Sequence, residues 1–337
     1  MSPEPLLAVE DLVVEFPAPD GGGAVRVVDE ISLTLAPGEA LGVVGESGSG
    51  KSMTAFALMG LLPAQSRTAG SIRYRGEELL ADDGARIAAI RGREVAMVYQ
   101  DPMTSLNPVL SVGHQLTQVI RHHRGLGKAA ARERAVELLR AVGIPGAAAR
   151  LRDHPHQFSG GQRQRIVIAL ALSCDPKVLV ADEPTTALDV TVQAEILALV
   201  ARLREQSRMA TVWITHDLGV VGGFADRVAV MYSGRVVEQA TVAELFRAPS
   251  HPYTIGLLNS LPRAGDRTRL TPIPGSPPDP AQRGDGCAFA PRCAWAVDAC
   301  RVHRPQLEPV GGGHEVACHR WREVRGGIEH EAVTHHG

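Results

Sequence analysis

Between an apolar run, Ala40 to Val44, and a second that begins after Ser52 lies Gly45-Glu46-Ser47-Gly48-Ser49-Gly50-Lys51-Ser52. Three glycines at this spacing ahead of Lys-Ser are the pattern of a phosphate-binding loop set between a strand and a helix. The glycines let backbone fold closely over a triphosphate with amide N–H groups turned to its oxygens, and the dipole of the following helix favours negative charge there. Lys51 then bridges the β- and γ-phosphates, and the Ser52 hydroxyl holds Mg²⁺. Ala40–Val44 reads as a strand and Ser52–Leu62 as an apolar helix, so the context agrees with the letters. The stretch predicts ATP binding in an α/β fold.

At 337 residues the chain is long enough for one large domain and an appendage. Its formal net charge of −2 argues against a nucleic-acid binder, which would carry a basic excess. Lysine occurs only at Lys51, Lys128 and Lys177 against an arginine-rich background, which makes the loop lysine conspicuous. No window approaches the ~18 consecutive apolar residues needed to cross a bilayer. The acidic, proline-containing stretch Met1–Phe16 lacks the positive region of a signal peptide, so a cytoplasmic protein is expected.

Leu7–Phe16 alternates like a half-buried strand, and a second strand starts near Val25 after the loop Pro19–Gly23. Phe16 closes the first strand beside that glycine-rich turn, where its ring either stacks on a base or joins the core. Ser71–Arg75 and Val95–Tyr99 read as strands, the second ending at Gln100. Leu116–Arg124 and Ala129–Val142 carry apolar residues at helical spacing, with Gly143 as a stop, and form a helical insertion. Ser159-Gly160-Gly161-Gln162, after Phe158, opens a long helix at Arg163–Ser173, and is either a plain cap or a second phosphate contact.

Val178–Ala181 is a buried-strand run ending in Asp182-Glu183. Downstream of a phosphate loop, such a pair has a use: the aspartate reaches Mg²⁺ and the glutamate takes a proton from attacking water. A solvated strand end is the alternative. Helix Val192–Gln206 and strand Thr211–Thr215 lead to His216, on the edge where α/β folds bind ligands, or simply in a turn. Val228–Met231 and Val236–Gln239 form a hairpin around Ser233-Gly234, and Thr241 to Glu244 is a capping box for a short helix.

Taken in order, these motifs resemble the ATP-binding subunit of ABC transporters. The resemblance implies a P-loop NTPase of the ABC ATPase fold, a RecA-like core with a β-rich N-terminal subdomain and a helical subdomain at about 101–173. By that likeness Phe16 is the adenine-stacking residue, Gly45–Ser52 the Walker A loop, and Gln100 the Q-loop glutamine that touches Mg²⁺ along with Ser52 and Asp182. Ser159, Gly160, Gly161 and Gln162 form the signature motif acting on a partner's ATP. Asp182 and Glu183 are the Walker B pair with Glu183 as base, Thr186–Asp189 with Asp189 the D-loop, and His216 the γ-phosphate switch. Phe158 in place of leucine and Thr186 in place of serine are mild departures.

Gln100-Asp101-Pro102-Met103-Thr104-Ser105-Leu106-Asn107-Pro108 and His251-Pro252-Tyr253-Thr254 are similar to the oligopeptide/dipeptide branch of ABC importers, which includes nickel importers. The likeness divides the chain into an ATPase domain at 1–250, a C-terminal extension at 251–325 and a frayed tail at 326–337. It implies a second ATPase subunit, identical or paralogous, two transmembrane permease subunits, an extracytoplasmic binding protein acting indirectly, and a peripheral place on the cytoplasmic face of the inner membrane. A soluble, non-transport ABC ATPase is the rival class. It would carry two cassettes or a coiled-coil or zinc-hook insertion, and the sequence has one cassette and neither insertion.

Four of the five cysteines, Cys287, Cys293, Cys300 and Cys318, lie at C-x5-C-x6-C-x17-C spacing in a stretch rich in proline and glycine. In a reducing compartment this points to metal rather than disulfides. Four thiolates can hold a [4Fe–4S] cluster or zinc, or stand without metal, and none of the spacings is the C-x2-C of common zinc modules. The family resemblance implies the iron–sulfur cluster. His303, His314 and His319 are expected at the surface, and Cys174 in the core.

Overall fold

The computed structural model describes residues 4–18, 22–82, 84–186, 188–261 and 272–334, with side chains to 327. Parts of the Pro19–Gly23 loop, Ala187 of the Thr186–Asp189 stretch and residues 335–337 lie outside the described residues. The chain divides into two compact units, one made of Met1–Leu6, Leu35–Glu39 and Glu77–Ile214, the other of Leu7–Thr34, Ala40–Gly76 and Thr215–Gly337.

In the first unit three parallel strands run side by side, Val95–Val98 against Val178–Asp182 and that strand against Ala210–Thr215, in register from Val95↔Val178 and Val178↔Ala210. Every residue in them is buried, as expected of a parallel sheet covered on both faces. Helices at Pro102–Ser105, Val112–Arg124, Lys128–Ala141, Ala147–Arg150 and Gly160–Ala171 fill the chain between the first two strands. Ser111 caps the Val112–Arg124 helix by accepting from the His114 N–H at 3.3 Å, and Gly125 ends it in a left-handed conformation. Leu116 and Ile120 of that helix, Ala131, Ala135 and Leu139 of the next and Ile166 of Gly160–Ala171 are buried, so one apolar stripe per helix makes the core.

The second unit holds two sheets. Leu7–Pro17 lies between Ala24–Leu35 and Arg67–Tyr74, antiparallel to the latter from Leu7↔Tyr74 to Glu15↔Arg67. In the other sheet Ala40–Val44 runs parallel to Arg227–Tyr232, which turns through Ser233-Gly234 into Arg235–Thr241. Ser233 and Gly234 have φ of 46° and 80°, the two positive values that a tight two-residue hairpin turn needs. Thr241 caps the Val242–Arg247 helix, but Glu244 pairs with Arg247 at 2.7 Å and leaves the expected reciprocal box half made.

The region after residue 250 is not a separate appendage. His314–Val316 pairs antiparallel with Arg235–Thr241 through Glu238↔Val316, and Glu308–Gly311 pairs on its outer side, so the extension supplies two strands to this unit's sheet. The tail expected to fray from Gly326 continues as the helix Trp321–Thr334, anchored by the buried Val324. His314, expected at the surface, is 0 % exposed. Its Nδ1 accepts from Arg325 at 2.7 Å, so its Nε2–H donates to Glu238 at 2.7 Å. Glu238 also accepts from the backbone N–H of Ser250 at 2.6 Å and of His251 at 2.9 Å, so burial is matched by hydrogen bonds.

A second buried carboxylate ties the N-terminal strands to the extension. Asp29, 2 % exposed, accepts from Arg235 at 2.8 Å, Arg304 at 2.9 Å, Arg26 at 3.2 Å and Arg283 at 3.3 Å. Burial pushes its pKa up, but the hydrogen bond and charge of Arg235, with Arg304 and Arg26, outweigh that and hold it below the usual carboxylate value. Below an ordinary carboxylate pKa of about 4 the unfolded chain binds the proton more readily, so this contribution is complete above that pH and is lost as pH falls through the folded value. Asp29→Asn leaves the arginines uncompensated and is expected to cost about 3–5 kcal/mol. Thermal unfolding at neutral pH, compared with wild type, measures it; an unchanged midpoint contradicts the assignment.

Candidate active site

The Gly45–Ser52 turn leaves the strand Ala40–Val44 and enters the helix Lys51–Met59. A Cβ on Gly45 would meet the Met231 carbonyl oxygen at 2.1 Å, and one on Gly50, at φ 97°, the Val27 carbonyl oxygen at 2.7 Å. Only glycine fits at either place. The Gly234 N–H donates to the Ser49 carbonyl and the Asp29 N–H to the Gly234 carbonyl, both at 2.9 Å, so the hairpin turn braces the loop from behind. Ser47 and Gly48 face outward, Ser49 is buried and Ser52 half-buried, and the helix carries no acidic residue in its first turn to oppose an anion.

Lys51 is 4 % exposed and curls back over the turn. Its ammonium donates to the Gly45 carbonyl at 2.7 Å, the Glu46 carbonyl at 2.9 Å and Ser49 Oγ at 3.4 Å. A cation held by the loop's own carbonyls can exchange them for phosphate oxygens. Phe16 in this unit is half-buried at the end of its strand, and His216 is exposed just past Ala210–Thr215, ahead of Asp217, which caps the next helix through the Gly219 N–H at 2.8 Å.

In the other unit Asp182 is buried at the end of its strand. Glu183 follows at φ 44°, a left-handed conformation costing about 1–3 kcal/mol in a non-glycine residue and concentrated at functional sites. Its N–H donates to the Ile214 carbonyl at 3.0 Å, and its Oε2 accepts from Thr186 Oγ1 at 2.9 Å and Gln100 Nε2 at 3.4 Å. Gln100 and Glu183 therefore meet, and the hydroxyl of Thr186 orients the carboxylate.

Ser159 opens the helix Gly160–Ala171 with a full capping box, accepting from the Gln162 N–H at 3.3 Å while its own N–H donates to Gln162 Oε1 at 3.1 Å. Gly161 lies where a Cβ would meet Val192 at 2.7 Å. Asp189 caps the helix Val190–Ser207 through the Val192 N–H at 2.9 Å. Phe158, in place of leucine, is buried under the Arg150 guanidinium, 4.1 Å from its ring centre.

The thiols of Cys287, Cys293, Cys300 and Cys318 are all free and line one small cavity of ≈ 20 Å³ with His251 and Phe289. Burial pushes the Cys287 and Cys293 thiols up and takes Cys318 up to about 12. The chain thus brings the four together, but among the described residues no group of three or more His, Cys, Asp or Glu side chains is disposed as a metal site. Also among the described residues, no helix is long and apolar enough to cross a membrane.

Two contacts on the phosphate loop had no sequence signal of their own. The Glu46 N–H donates to the hydroxyl of Tyr253 at 2.8 Å, and the Glu46 carboxylate takes a forked pair from Arg292 at 2.6 and 3.0 Å. Tyr253 stands in the His-Pro-Tyr-Thr stretch and Arg292 next to Cys293, and neither motif points to residue 46.

Residues 28–186 match the family model described as ABC transporter, and residues 237–300 the one described as Oligopeptide/dipeptide transporter, C-terminal region. A putative peptide import ATP-binding protein of Brucella abortus is 51% identical over 91% of this chain and 93% of its own length. The oligopeptide transport ATP-binding protein OppD of Salmonella typhimurium is 49% identical over 94% and 95%. Among solved structures, the ATP-binding cassette MJ0796 in a dimeric, post-hydrolysis state bound to ADP and Pi superposes with a TM-score of 0.62 at 26% identity, covering 70% of this chain and 98% of that one. A strand-to-helix phosphate loop, an acidic strand end and two family models in chain order agree, and the chain belongs to the ATP-binding subunits of ABC transporters.

Proposed function

We propose that the chain is the ATP-hydrolysing subunit of a peptide importer, coupling hydrolysis to uptake of di- or oligopeptides. The observation that carries this is the likeness to peptide-import ATP-binding proteins over more than nine-tenths of the chain, phosphate loop and C-terminal region together. In this reading Lys51 passes from the Gly45 and Glu46 carbonyls to the β- and γ-phosphates, the amides of Ser47 to Ser52 cradle them, and Phe16 stacks on adenine. Ser52, Gln100 and Asp182 are hard oxygen donors of the kind Mg²⁺ takes, and the ion would neutralise charge on the phosphates. Glu183, aimed by Thr186, accepts the proton of the attacking water, and His216 contacts the γ-phosphate.

Ser159 to Gln162 and Asp189 act on the ATP of a second, facing subunit, identical or paralogous, so neither copy is complete alone. The pair docks on two permease subunits at the cytoplasmic face of the membrane and, through them, serves an extracytoplasmic binding protein. Cys287, Cys293, Cys300 and Cys318 are four soft thiol donors facing one cavity, the ligand type of a [4Fe–4S] cluster and, second, of zinc. The cavity as it stands has room for about one water, so either group requires the thiols to regroup around it, and either would staple a segment short of apolar residues.

Glu183→Gln is expected to retain ATP binding while turnover falls by about 10²-fold or more. Full-rate hydrolysis by that variant removes the base from the scheme. Lys51→Ala is expected to weaken nucleotide binding itself, read by equilibrium titration. Chain purified anaerobically from membranes should bring permease subunits with it and carry iron and acid-labile sulfide in equal amounts. Zinc without iron would replace the cluster, and recovery with no membrane partner would overturn the transport role.

A further inference from the structure

From the grip on Glu46 we infer that Arg292 and Tyr253, both from the C-terminal region, are positioning residues of the phosphate loop and set its affinity for nucleotide. Glu46 is held at three points. Its N–H donates to Tyr253 Oη at 2.8 Å, its carbonyl accepts from Lys51 at 2.9 Å, and its carboxylate takes the forked pair from Arg292. Arg292 is itself fixed: Nε donates to the Pro274 carbonyl at 2.8 Å, Nη1 lies 3.3 Å from the Tyr232 hydroxyl, and Nη2 also reaches the Gly275 carbonyl at 3.3 Å. Its side chain is 6 % exposed, and its guanidinium lies 5.8 Å from the ring centres of both Tyr232 and Phe289.

When Lys51 leaves for the phosphates, one of the three holds on Glu46 goes, and the other two keep the turn open. The guanidinium also cancels a carboxylate that would otherwise repel a triphosphate in the same loop. Both effects act on binding more than on the chemical step, because neither residue approaches Glu183's end of the reaction in sequence or role.

The inference rests on the reading of Gly45–Ser52 as the ATP loop, and Lys51→Ala run in parallel separates the two. On the full purified chain with Mg²⁺ and a fluorescent ATP analogue, Arg292→Met is expected to raise Kd about tenfold. Tyr253→Phe, which removes one oxygen, is expected to raise it about threefold. In the assembled transporter KM should rise in step while kcat stays within about threefold. Arg292→Lys, keeping the charge without the fork, should fall between wild type and Arg292→Met. Placed on Glu46→Gln, Arg292→Met should add less than about twofold, since the partner charge is gone. Unchanged Kd in both Arg292→Met and Tyr253→Phe, or an equal loss on the Glu46→Gln background, overturns the inference while a damaged Lys51→Ala leaves the loop assignment standing. Should Arg292→Met not fold, Tyr253→Phe alone decides.

Discussion

The Gly45–Ser52 turn keeps its shape because the backbone behind it leaves no room to move. Backbone meets backbone here at distances no side chain tolerates, Gly45 against Met231 and Gly50 against Val27, so the turn is pressed onto the neighbouring strands and cannot widen. A nearly buried ammonium would be costly without partners, and the turn supplies them from its own carbonyls. Lys51 is thereby satisfied by neutral acceptors from within its own turn.

Around that turn the second unit is organised by two buried carboxylates. Asp29 gathers arginines from the strands and from the extension, and Glu238 gathers two backbone amides and the His314 ring. Apolar replacements of equal shape can match the stability of buried pairs like these. What the carboxylates add here is direction: each accepts from groups far apart in the chain and so fixes how those segments meet.

Local signals were legible in the residues. The Gly45–Ser52 loop, the acidic strand end at Asp182-Glu183, the Ser233-Gly234 hairpin and the Ser159 cap each depend on neighbours within a few positions. The contacts on Glu46 come from residues 207 and 246 positions away and follow from no periodicity. His314 looked like a surface residue because it stands among glycines, and only its pairing with Glu238, 76 positions back, accounts for its burial. The extension looked like an appendage for a similar reason: it joins the sheet by backbone hydrogen bonds, which any sequence can make. The four cysteines announced themselves by spacing, while the free thiols show a shared cavity and no finished ligand set.

The strand Arg235–Thr241 has a neighbour on each side, Arg227–Tyr232 and His314–Val316. Outermost comes Glu308–Gly311, only four residues long, with Pro309 lacking an N–H and Gly311, Gly312 and Gly313 all at positive φ. Such a margin is a poor template for another chain to join. A polypeptide ending short of His314 would instead bare the edge at Val237 to Gln239 with its backbone groups unmatched and its buried Glu238 opened to water, so the segment from His314 onward also guards the protein against sticking to its own copies.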